Sequence, residues 1–151
     1  MTSLNRRQLF ALGAGAAVAL TPVAALAKKP TYTSWGKAIR GYDPVAYFKQ
    51  GKPVKGSKQF THDYNGATWH FSSAENRDLF ASSPAAYAPQ YGGYCAYAVS
   101  QGYTASTIPE AWDIVNGKLY LNYSKSVQRT WKKKQSNYIQ SADRNWPGVL
   151  N

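Results

Sequence analysis

The sequence predicts an α+β fold, a single small domain in which two short antiparallel β-hairpins pack with several helices and a long C-terminal helix closes the core. Three observations carry this reading. Asn65-Gly66 and Asn116-Gly117 each stand between short apolar runs, and this dipeptide is the favoured two-residue hairpin turn. Ser72 and Glu75 have the spacing of a helix capping box. After Ser124, the residues Val127, Trp131, Tyr138 and Ala142 recur near helical spacing.

Taken in order, the chain opens on an export leader. Arg6-Arg7 precedes Leu9-Phe10, an apolar run extends from Ala11 to Leu26, and Ala25-Leu26-Ala27 offers a small-residue cleavage site. Residues 1–27 therefore read as a signal peptide, and the twin arginine resembles the type used to export folded proteins. The run is Ala- and Gly-rich and contains Pro22, so the mature chain is expected to keep no transmembrane anchor. Residues 28–151 form one domain. Lys28 to Gly36 reads as an exposed lead-in, and Gly41 to Phe48 as a turn followed by an apolar patch.

The first hairpin runs from Phe60 to Tyr64 and from Ala67 to Phe71. Its two-residue turn pairs Tyr64 with Ala67, His62 with Trp69 and Phe60 with Phe71, so these six share a core face. Thr61, Asp63, Thr68 and His70 fall on the other, expected to be solvent. A helix should begin at Ser72 and carry Leu79 and Phe80, with a short turn from Pro84 to Tyr87. A second short helix is expected within Tyr91 to Val99, beyond the Gly92-Gly93 hinge, and Gln101 to Pro109 reads as loop. The second hairpin joins Ala111–Val115 to Lys118–Asn122, and the long helix from Ser124 ends before Trp146-Pro147-Gly148.

The formal charge is +11, and +9 once Arg6 and Arg7 leave with the leader. Such a balance suits an anionic partner, but the lysines are dispersed over a loop (Lys49 to Lys58) and a late helix (Lys132-Lys133-Lys134). Together with export, this argues against nucleic acid. No protein partner can be named from the residues.

The pieces Asp43-Pro44-Val45, Tyr64-Asn65-Gly66, Trp69-His70-Phe71-Ser72, Phe80, Pro84 and Tyr87 resemble the YHS domain family. Tyr91-Gly92-Gly93-Tyr94-Cys95-Ala96-Tyr97, with Ala111-Trp112 and Leu119 to Tyr123 after it, is similar to an exported bacterial branch with a C-terminal extension. The resemblance implies metal chemistry, notably copper and zinc, through cysteines near the first strand and at the hairpin-to-helix junction. At those places this chain has Ala46, Ser72 and Asn76. It also implies redox or soft-metal chemistry at Cys95, since some proteins of this type are thought to carry selenocysteine in place of a cysteine.

Cys95 is the sole cysteine. In an exported protein it has no partner within its chain, so it reads as a buried apolar group, an intermolecular bridge, a metal ligand or a reactive thiol. A helix starting near Gly93 would lower its pKa and favour thiolate, the form that attacks and that binds soft metals. Tyr42, Tyr91, Tyr94 and Tyr97 could line a pocket around it. His62, on the aromatic face, is the second candidate ligand; His70 is expected to be exposed. One cysteine and two histidines cannot close a four-ligand zinc site, whereas copper(I) needs fewer ligands. Asp43 reads as a turn cap before Pro44, Ser72 has no visible base partner, and Glu75, Asp78, Glu110 and Asp113 form no clear carboxylate pair. No catalytic constellation is visible. The function expected is thus a periplasmic accessory protein that handles a soft metal, copper, through Cys95. A thiol redox protein, or a non-catalytic module for a small ligand or partner, are the alternatives.

Overall fold

The structure is a computed structural model and describes residues 27–151; the expected leader, but for its last residue Ala27, lies outside the described residues. Two β-sheets organise it. The larger runs β1 (Thr33–Ser34), β2 (Lys37–Ala38), β4 (Ala67–Phe71), β3 (Ser57–Tyr64), with β2 parallel to β4 through Lys37 and Thr68. The smaller is β5 (Trp112–Val115) against β6 (Lys118–Leu121). Among the described residues six α-helices complete the fold: α1 (Pro44–Lys49), α2 (Ala74–Ser82), α3 (Pro84–Tyr87), α4 (Ala96–Ser100), α5 (Lys125–Lys133) and α6 (Gln135–Asn145). Among the described residues no helix is long and apolar enough to cross a membrane.

Both Asn-Gly turns form as the sequence predicts. Asn65 and Gly66 have φ of 52° and 76°, and Asn116 and Gly117 have 52° and 75°. This is the turn geometry that matches strand twist. Tyr64 faces Ala67 and His62 faces Trp69. Beyond Thr61 the register shifts, so Phe71 faces Ser57 and not Phe60. The irregularity inserts extra residues into β3 that a two-residue period cannot foresee.

The solvent-face expectation for His70 is overturned. His70 is buried at 9% exposure, while His62 is half-buried. The register at His70, opposite Thr61, is as expected, but the outer face of β4 is not open. The backbone at Gly56 crosses it so closely that a Cβ there would lie 2.5 Å from the His70 carbonyl carbon. Gly56 N donates to Gly41 O at 2.9 Å, and Tyr42 bridges Lys55, which fixes this crossing.

Four further differences have local causes. The lead-in is not exposed throughout: Thr31 is buried, and Trp35-Gly36 turns β1 into β2. The patch after Asp43 is a helix, started by Pro44 at its first turn with Asp43 as cap. The cap of α2 is Ser73, whose Oγ accepts from Asn76 N at 3.1 Å, because Ser72 is engaged elsewhere. The long C-terminal helix breaks at Lys134 (φ −137°, ψ 48°), within three lysines that offer no apolar contact to hold one straight rod.

The core has two parts with β6 as their shared wall. Leu119 and Leu121 face the first, with Val45, Tyr47, Trp69, Phe71 and Phe80. Tyr120, one residue out of phase, faces the second, with Tyr91, Val99, Trp131 and Ala142. Phe80 is the hub of the first, its ring 5.1 Å from those of Trp69 and Phe71. Burying such a side chain contributes about 1.5–3 kcal/mol.

Candidate functional site

Cys95 caps α4 at the end of a tightly turned segment. Tyr91, Gly92 and Gly93 have φ of 59°, 63° and 85°. At Gly92 a Cβ would collide with Pro30 O, because the lead-in crosses here and Tyr32 N donates to Gly92 O at 2.9 Å. Cys95 N donates to Ala105 O at 3.0 Å, which pins the residue to the following loop.

The thiol donates to Asn122 Oδ1 at 3.5 Å and accepts from Tyr123 N at 3.3 Å. Asn122 Oδ1 also accepts from Tyr97 N at 3.1 Å. Asn122 Nδ2, buried, has no partner among the described residues. The residue itself is only 1% exposed. Burial pushes the thiol pKa up, and the amides of Ala98, Tyr123 and Tyr97 oppose that rise without reversing it. This corrects the expected depression: a five-residue helix offers a weak positive end, and desolvation of the anion outweighs it.

The sulfur side opens on a cleft of about 240 Å³, walled by Tyr97, Tyr103 and Tyr123 with Ala98, Ala105 and Val127. Tyr103 and Tyr123 are half-exposed at its rim. Of the four tyrosines expected there only Tyr97 takes part. Tyr94 packs on Tyr32 and Trp146, Tyr91 lines another cavity, and Tyr42 bridges Lys55. Tyr103 and Tyr123 lie in loop positions with no periodicity to mark them.

His62 stands edge-on to Phe80 at 6.1 Å, at the margin of the first core. Among the described residues no group of three or more His, Cys, Asp or Glu side chains comes together to hold a metal ion. Burial, and then Lys37, push the His70 pKa down.

The three positions where the family resemblance implies cysteines do converge, but on a carboxylate. Asp43 is fully buried, and its Oδ1 accepts from Val45 N at 2.9 Å and Ala46 N at 3.2 Å. Its Oδ2 accepts from Ser72 N at 2.8 Å, Ser72 Oγ at 2.8 Å and Asn76 Nδ2 at 2.9 Å. These residues do not fit a thiolate metal site. There is no sulfur among them, and their polar groups are spent on one another. The expected turn cap is thus also a tie between α1, β4 and α2, legible as a cap but not as a hub.

Comparison with curated proteins and with solved structures found no match. Comparison with family models found one, the YHS domain, over residues 45–91. The matched span contains α1 but for Pro44, the larger hairpin, α2 and α3, and stops at Tyr91, short of Cys95 and of the extension that builds the cleft. Asp43 stands just before it and ties its first helix to its hairpin. Residues 45–91 therefore match the YHS domain and hold Val45, Tyr47, Trp69, Phe71 and Phe80 of the first core, while residues beyond that span build the Cys95 cleft.

Proposed function

We propose that the protein is an exported, periplasmic, non-catalytic binding module whose site is the Cys95 cleft and whose ligand is a small apolar or single-ring aromatic molecule. The observation that carries this is a tyrosine-walled cleft of about 240 Å³ with a neutral thiol at its base. A dry apolar cavity of about 150 Å³ already admits benzene, so the size suits one substituted ring. Raised thiol pKa and burial disfavour a thiolate nucleophile, which weakens the redox alternative.

The test is titration with indole and with toluene, followed by NMR of the Val127 methyls and the Tyr103 and Tyr123 rings. Saturable shifts confined to these residues, lost in Val127→Trp, support the reading. Shifts elsewhere, or none, refute it.

Copper is the second reading, favoured by one observation. Cys95 carries the only sulfur among the described residues, and the Tyr123 amide at 3.3 Å would stabilise its thiolate. Copper(I) competition against a chelator separates the two. Copper retention lost in Cys95→Ser supports the metal, whereas indole binding should survive that substitution.

A further inference from the structure

A second cavity, of about 400 Å³, opens at the seam between the larger hairpin and the C-terminal extension. Tyr64 and Asn65 line it from the hairpin side, Gln90 and Tyr91 from the turn before Cys95, and Lys118, Asp143 and Trp146 from the extension. No wall is shared with the Cys95 cleft.

One polar group of its lining is held, and others stand exposed at its rim and unspent. Tyr91 is 5% exposed, with its ring between those of Tyr120 at 5.9 Å and Trp146 at 6.1 Å. Its backbone is left-handed at φ 59°, a strained conformation for a non-glycine residue, and such strain gathers at functional sites. That geometry sends its hydroxyl to Asp143 Oδ1 at 2.8 Å. Burial and then the Asp143 hydrogen bond push the phenol pKa up, so it stays a donor to Asp143. Asp143 Oδ2, the Lys118 ammonium and the side-chain amides of Asn65 and Gln90 have no hydrogen-bond partner among the described residues.

One carboxylate and one ammonium leave the lining with no net charge. Donors and acceptors are both present, and Tyr64 and Trp146 offer aromatic surface. A ligand matching all three has no net charge, many hydroxyls and C–H faces that can lie on rings. The volume is within the range of small-molecule sites, roughly 300–1,000 Å³. We propose that this cavity binds one ring of a neutral saccharide, with Asp143 and Lys118 as its polar contacts and Trp146 as its stacking wall.

Glucose and N-acetylglucosamine are the probes, with free phenylalanine as the zwitterionic competitor, read by tryptophan fluorescence and by NMR of the Trp146 indole. The expected result is saturable sugar binding that weakens about tenfold in Asp143→Asn, the loss of one charge-assisted hydrogen bond. Lys118→Ala, also on an exposed side chain, should weaken it in the same direction. Indole binding at the Cys95 cleft should be unchanged in both variants. Absence of sugar binding, sugar binding that ignores both variants, or a preference for phenylalanine over either sugar would overturn the proposal.

Discussion

Replacing Asp43 with Asn changes one atom in a fully buried side chain that accepts five hydrogen bonds. At an exposed helix start this substitution costs almost nothing, since Asn caps as well as Asp. Here the new amide is a donor among donors. If it faces Ser72 and Asn76, three bonds go; if it faces α1, the amides of Val45 and Ala46 lose their acceptor. Each buried donor left unmet costs about 1–3 kcal/mol. Allowing for relaxation, the loss should be about 2–4 kcal/mol, a drop of roughly 10 °C in Tm for a domain of this size. Urea denaturation gives the stability, with Asp63→Asn as the control. Asp63 is exposed and bonds only Thr68, so its change should stay within about 0.5 kcal/mol. A loss below about 1 kcal/mol for Asp43→Asn would refute the hub.

Four other outcomes are expected. Gly56→Ala should destabilise by about 1–3 kcal/mol, since its Cβ would press on the His70 backbone at 2.5–2.6 Å; urea denaturation checks it. Stability should fall as pH drops below 6.5, because the native His70 pKa lies below that value and the unfolded chain then binds the extra proton; His70→Gln should flatten this limb. Stability should also fall as pH rises past 9.0, because the native Cys95 pKa lies above it and the unfolded thiol ionises first; Cys95→Ala should delay the onset toward the tyrosine range. Intact-mass analysis of protein recovered from the periplasm of an expressing bacterium should find Lys28 as its first residue, and a mass retaining residues 1–27 would contradict cleavage.

Local chemistry was readable from the chain and long-range crossings were not. Two Asn-Gly turns set both hairpins, and Ser124, whose Oγ accepts from Val127 N at 3.0 Å, started its helix where expected. The burial of His70 depends on Gly56, which is remote in sequence, so no alternation along β4 could reveal it. The strand pair Lys37 and Thr68 is likewise non-local. Val127, Trp131, Tyr138 and Ala142 keep one stripe through the break at Lys134, so periodicity alone reads a single helix. At the site, Cys95 was conspicuous as a lone thiol. Its walls were not, because Tyr103 and Tyr123 reach the cleft from loops, and its pKa direction turned on a burial visible only in the fold.

The central claim is that a neutral Cys95 thiol forms the base of a ligand cleft. The direct measurement is the rate at which methyl methanethiosulfonate, a small neutral reagent, labels Cys95 in the native protein, with and without saturating indole. The account predicts labelling that is slower than in denaturant, measurable in the folded protein, and slower again when indole occupies the cleft. A sulfur that reacts only after denaturation, or a native rate that indole leaves unchanged, would contradict it and leave Cys95 as a buried structural residue.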